Sequence, residues 1–306
     1  MEEEREKVNA QRLRCLPPVS NDAELVFVVG CPTSGTSALA WALAQHSALL
    51  TDSESNFLYS LFSSGAIEKA WEVSSRVEKG FVQRFQVTRG EFYQAACLGF
   101  ASLFKGAAGA KRWVDQSPEN VLVADQLAVG FPKAKFVQVV RDGRAVVRSM
   151  LGSGFAEPWA SDAAEACKTW AFYVDTGLAK ARELGDKMIT VPHRAMVLQP
   201  RRVMRAVLAF LGLAYEDGPA QFLSESRVNS SFGARTQVPL DERARARLVA
   251  AIPEGWSDKL EACFVRHASW AQERYLQLER QWLGEQPSWE SVISEESLAL
   301  PGGTKA

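Results

Sequence analysis

Four short, nearly unbroken apolar runs punctuate this chain: residues 24–30 (ELVFVVG), 111–115 (KRWVD), 135–141 (KFVQVVR) and 187–191 (KMITV). Such runs, lacking polar alternation, predict strands covered on both faces, as in a parallel sheet. Helical patterns lie between them. Residues 36–45 (TSALAWALAQ) have the alanine and leucine content of a helix lying on a sheet. Pro118 suits the first turn of a helix reaching about Gly130. Residues 144–151 read as a third helix, and residues 200–211 as an amphipathic fourth stopped by Gly212. Strands alternating with helices predict an α/β fold: a doubly wound parallel sheet flanked by helices, with right-handed crossovers and ligands bound beyond the carboxyl ends of the strands.

The interval between the first two runs is too long for a simple crossover. Residues 57–109 read as a helical insertion carrying Phe57, Tyr59, Phe62, Trp71, Phe81, Phe85, Phe92, Tyr93, Phe100 and Phe104. Most of these are expected in the core of that segment and a few in an acceptor pocket. Trp170, on a helix with a long apolar face, is expected in the core. Residues 152–159 (GSGFAEPW) combine two glycines, a proline and two aromatics, which suits either a lid or an ordinary surface loop. Residues 241–283 read as helices rich in Arg, Glu and Leu. The organisation expected is a polar arm over residues 1–20, one α/β domain over 21–285 and a loose tail over 286–306.

Composition narrows the chemistry. Of 306 residues, 47% are hydrophobic, enough for a sizeable core. Thirty-five basic residues against 36 acidic ones leave a net charge of −1, so no global field grips nucleic acid or an anionic membrane, and any phosphate chemistry is local. The five cysteines are widely spaced with no C-x-x-C pair, which argues against a disulfide framework and for a reducing, cytoplasmic setting. His46, His193 and His267 stand at no ligand spacing, so no metal is expected. The N-terminus is charged where a signal peptide needs apolar residues, and no apolar run approaches the ~18 residues of a membrane span.

Local phosphate chemistry has an obvious place. Residues 30–37 (GCPTSGTS) keep the G-x-x-x-x-G frame of a phosphate loop, but Thr36 stands where the triphosphatase motif needs lysine. The glycines still let backbone N–H groups turn inward, and the following helix presents its N-terminal dipole. Without that lysine, and with no evident carboxylate for magnesium, a nucleoside triphosphate fits poorly and a metal-free diphosphate-like ligand fits better. Arg141, directly after the third run, can fork onto a phosphate, with the Ser149 hydroxyl two turns along the next helix. Arg144 and Arg148, four apart, read as a solvated face.

Taken together these stretches resemble the superfamily of sulfotransferases that use 3′-phosphoadenosine 5′-phosphosulfate (PAPS), which have a phosphate-loop-like fold. VVGCPTSGTSALAWALAQHS looks like the family's 5′-phosphosulfate loop, VDQSPENV like its D-K-T-P element, FPKAKFVQVVRDGRAVVRSM like its 3′-phosphate element, and ITVPHRAMVLQPRRVMRAVLAFLGLAYE like its Y-E-D-L…FLGL segment. The resemblance implies a PAPS-dependent transferase acting on a hydroxyl or amine of a small molecule or glycan. It implies that Thr33, Ser34, Gly35, Thr36 and Ser37 hold the 5′-phosphosulfate, that Arg141 and Ser149 hold the 3′-phosphate, and that Arg235 closes over that phosphate, a surface arginine being the plain alternative. Glu54 stands where glycan- and tyrosine-modifying branches place a glutamate base, with Asp52 nearby as the alternative.

The resemblance has two gaps at one step. The family's loop carries Lys or Arg where Thr33 stands, and the D-K-T-P lysine is Gln116 here, so two cations near the transferring group are replaced by neutral residues. Arg112, Lys111 and Arg148 are candidate substitutes. A silent nucleotide-binding protein of the same fold, and more remotely a degenerate kinase, are the alternatives. His193 stands near the Y of Y-E-D-L, and His46 reads as structural.

Overall fold

The computed structural model describes residues 19–229 and 236–284. The four apolar runs form strands, and a fifth joins them. They are β1 (Val26–Gly30), β2 (Leu49–Thr51), β3 (Arg112–Asp115), β4 (Lys135–Val140) and β5 (Met188–Pro192). All are parallel, in the order β2-β3-β1-β4-β5. β2 escapes a reading of the sequence because three residues are too few for a distinct apolar run.

β1 is buried at every position because the sheet is covered on both faces. Phe27 and Val29 pack into one core cluster, with Phe27 stacked 5.1 Å from Phe136, while Val26 and Val28 point into the other with Leu39, Val139 and Val207. This period-two division explains why an unalternating run is a strand here. The helices that position the site are α1 (Thr36–Leu43), α2 (Gly143–Leu151), α3 (Ala163–Leu184), α4 (Glu242–Leu248) and α5 (Asp258–Leu283). Trp170 of α3 is fully buried against Phe264 of α5, ring centroids 5.6 Å apart, as expected of a core residue.

Several expectations change in detail. The helix anticipated from Pro118 begins as a tighter turn, Pro118–Val123, and becomes α-helical only over Ala124–Gly130, because Asn120 is tied back to Asp115. The tail expected as helices over residues 241–283 resolves into α4 and α5, separated by a turn. An antiparallel pair not anticipated from the sequence, β6 (Ser226–Asn229) and β7 (Thr236–Pro239), precedes α4. Between β2 and β3 lie the helices Phe57–Ser63, Ala66–Arg76, Phe81–Arg84 and Arg89–Ala108. Of the ten aromatics expected mostly in their core, only Phe62, Tyr93 and Phe104 are buried, and Phe57 and Phe81 are exposed. Arg89–Ala108 packs on β2 and β3 while Ala66–Arg76 packs on its neighbouring helices, so each turns one stripe inward and the other rings stay partly in water.

Candidate functional site

The connection from the carboxyl end of β1 runs toward β2 and that from its neighbour β4 toward β5, in opposite directions, which opens a crevice between them. A cavity of about 1040 Å³ fills this crevice, and Thr33, Gly35, Thr36, Ser37, Glu54, Arg141 and Ser149 all line it. Residues up to 116 positions apart in the chain thus meet in one space. Ser34 is the member that does not. It is fully buried beneath the loop, with its N–H donating to Cys31 O at 3.1 Å and its hydroxyl turned from the cavity, because the turn needs that N–H to close. Arg235 lies outside the described residues.

The loop between β1 and α1 is shaped by close approach. A Cβ on Gly30 would lie 2.5 Å from Val139 O, and one on Gly35, whose φ is 101°, would lie 2.6 Å from the His193 ring. Neither position admits a side chain without movement. Thr33 adopts a left-handed φ of 65°, costly for a β-branched residue. Its carbonyl accepts a bond from Arg141 Nη1 at 3.2 Å, so the arginine at the end of β4 braces the loop at the end of β1. α1 then starts at Thr36 with no side-chain cap, leaving its first N–H groups for a ligand.

Arg141 is held from behind: its carbonyl accepts from Trp170 Nε1 at 3.2 Å. Burial above all, with the charge of Arg227 adding to it, pulls its guanidinium down to about 10, still cationic at neutral pH. Its buried Nε has no hydrogen-bond partner among the described residues. The next residue, Asp142, caps α2 by accepting from Arg144 N at 2.9 Å and Ala145 N at 3.3 Å, which orients Ser149. His193, buried and beside Arg141, has an imidazole held well below its ordinary range and is neutral.

Glu54 sits on the other side, in the loop after β2. This loop hangs from the segment after β3: Ser117 Oγ accepts from Ser55 N at 3.0 Å and Asn56 N at 3.1 Å and donates to Asp115, while Gln116 Nε2 donates to Asp52 O. Gln116 is fully buried and absent from the cavity wall. The position expected to carry a cation therefore supports the loop that carries Glu54. Half-burial first, then the nearby charges of Glu119 and Asp115, raise the Glu54 carboxyl to about 7. Asp52, the alternative base, is exposed and does not line the cavity.

Of the three candidate substitute cations only Arg148 reaches the cavity. Arg112 bonds Leu211 O at 2.8 Å and approaches Glu24 at the opposite end of β3, and Lys111 precedes it there. Arg144 is not the solvated residue expected: it makes a two-pronged pair with Glu261 at 2.7 and 2.8 Å and lies over the Phe264 ring. His46 is structural as read, bonded to Ala214 O and Ala48 N. Sequence reasoning missed Glu119, Glu157, Arg227, Arg243 and Arg247, all on the cavity wall. The four-residue spacing of Arg243 and Arg247 was a usable signal; Glu119 and Arg227 carried none. Phe155 and Trp159, from the glycine-rich segment 152–159, line it too, whereas no aromatic of residues 57–109 does.

Comparison with known proteins points to one family. Residues 25–217 match the sulfotransferase family. The chain is similar to protein-tyrosine sulfotransferase 1 of Danio rerio, 28% identical over 250 residues, covering 76% of this chain and 68% of that protein. It is similar to protein-tyrosine sulfotransferase 2 of Gallus gallus, 28% identical over 207 residues, covering 65% of this chain and 53% of that one. Its similarity to the sulfotransferase domain of the Synechococcus PCC 7002 olefin synthase has a TM-score of 0.56 at 18% identity, over 85% of this chain and 97% of that one, and concerns the fold.

Proposed function

Because the chain belongs to the sulfotransferase family, we propose that it moves a sulfuryl group from PAPS to a hydroxyl or amine of a small molecule or glycan. The observation that carries this reading is that one cavity joins the phosphate loop, Arg141, Ser149 and Glu54. Arg141 and Arg227 stand close enough to repel, and among the described residues the buried Nε of Arg141 has no partner, which favours an anion such as a nucleotide phosphate beside them. Arg141 and Ser149 take the 3′-phosphate, and the N–H groups from Gly35 to Ser37 take the 5′-phosphosulfate.

In the transfer, the acceptor's oxygen or nitrogen forms a bond to sulfur as the bond from sulfur to the nucleotide phosphate breaks. The acceptor proton passes to Glu54, whose carboxyl near 7 is matched to a base working at neutral pH. Positive character at the leaving phosphate comes from the start of α1 and from Arg148, in place of the side chains absent at Thr33 and Gln116. A phenolic hydroxyl is the first acceptor to try, since the named relatives are protein-tyrosine sulfotransferases.

The test is transfer of radiolabelled sulfate from PAPS to a panel of phenols, amines, sugars and a tyrosine peptide. Label moved by the wild type and not by Glu54→Gln supports the proposal. Equal transfer by both proteins assigns the base elsewhere, and no transfer to any acceptor opposes the reading.

A further inference from the structure

The cavity is divided by charge. Arg141, Arg148, Arg227, Arg243 and Arg247 line the side reached from β4, α2, β6 and α4. Glu54 and Glu119 line the side reached from β2 and β3, and Glu157 joins them from the segment after α2. Glu119 is near both of the others: its charge adds to the burial that raises Glu54, and burial first, then the charges of Asp115 and Glu157, raise Glu119 itself. Among the described residues none of the three is in an ion pair, whereas Glu68, Glu216 and Glu261 elsewhere each sit on a basic side chain. The acidic side also holds Phe155 and Trp159, packed edge to face at 5.5 Å. Aromatic rings beside carboxylates are the groups that hold an ammonium, by attraction to the ring faces and by ion pairing.

The nucleotide accounts for the arginines and leaves the acidic side unanswered. Where the two halves meet, the two positions expected to carry cations are neutral: Thr33, and Gln116, which is turned to Asp52 O. Resting on the sulfotransferase reading of this cavity, we propose that Glu119, with Glu157, Phe155 and Trp159, selects an acceptor that carries an ammonium group near its reacting hydroxyl or amine. The ammonium pairs with Glu119 and lies against the rings, and the reacting atom faces Glu54. Bond changes are those of the transfer itself: the acceptor atom bonds sulfur, the nucleotide phosphate leaves, the proton goes to Glu54 and the ammonium is unchanged. The bound cation also keeps Glu54 ionised, as a base requires.

Three phenols with one reacting hydroxyl and different charge test this: tyramine, 4-ethylphenol and 3-(4-hydroxyphenyl)propionate. Each is titrated into the protein with and without saturating 3′-phosphoadenosine 5′-phosphate (PAP). Tyramine is expected to bind about tenfold tighter than 4-ethylphenol, with the anionic phenol weakest. Glu119→Gln narrows the tyramine advantage to within about threefold, and Glu157→Gln, an exposed change with no bearing on folding, narrows it less. Equal binding of the three phenols, or an order that survives both substitutions, overturns the inference. Failure of PAP itself to bind strikes instead at the sulfotransferase reading, and the order of the phenols on the unloaded protein then decides charge selection separately.

Discussion

The two halves of the cavity are held by different means. The side proposed for the nucleotide presents backbone: a turn that two glycines permit, a left-handed Thr33 braced by Arg141, and the bare start of α1. On the acceptor side the loop bearing Glu54 is suspended from side chains, those of Gln116 and Ser117. A backbone cradle constrains the sequence at each turn, because few residues tolerate its angles and contacts. A loop hung on amide and hydroxyl bonds leaves the residues between its anchors free to change. Under the proposed function, nucleotide binding and acceptor chemistry are therefore expected to separate on single substitutions.

That separation is broken most sharply at Glu54. Glu54→Gln is expected to lower turnover by about 10²- to 10⁴-fold with PAP affinity unchanged, read by steady-state kinetics beside a binding titration. Next comes Gly35→Ala, whose methyl meets the His193 ring at 2.6 Å in a left-handed conformation. It costs about 1–3 kcal/mol, seen as weakened PAP binding and a lower Tm. Ser117→Ala removes the acceptor of two loop N–H groups and should reduce kcat about tenfold while the KM for PAPS holds, which marks Ser117 as a positioning residue.

The smallest effects are on pH. Activity should rise with pH through about 7 as Glu54 loses its proton, and the Gln variant should lack this limb. The same raised carboxyl bears on stability. Its folded value lies above the ordinary 4.5, so the stability it contributes is present below 4.5 and is lost as pH rises through about 7. Glu54→Gln should thus match the wild type in Tm at pH 4 and exceed it slightly at pH 8, by roughly 2 °C after allowing for solvent screening.

How much could be read beforehand follows the same division. Four strands and the phosphate loop were legible because buried parallel strands leave apolar runs and the loop needs glycines at fixed spacing. That Arg141, Ser149 and Glu54 line one cavity was foreshadowed by their places after a strand, along a helix and in a family pattern. The role of Gln116 was not: the sequence shows that a lysine is missing, but its bond to Asp52 O forms only when β2 and β3 lie side by side. The acidic wall was hidden for a like reason, since Glu54, Glu119 and Glu157 come from three separate connections. Arg112 shows the converse, being near the motif in sequence and at the wrong end of its strand.

The central claim is that one cavity holds a nucleotide half anchored by Arg141 and a chemically separate half centred on Glu54. Calorimetric titration with PAP, in chelator and without magnesium, tests it on the wild type, Arg141→Ala and Glu54→Gln. Metal-independent binding by the wild type, weakened about 10- to 100-fold by Arg141→Ala and unaltered by Glu54→Gln, is the result predicted. Binding that ignores Arg141, that falls equally with Glu54, or that requires magnesium would contradict the account.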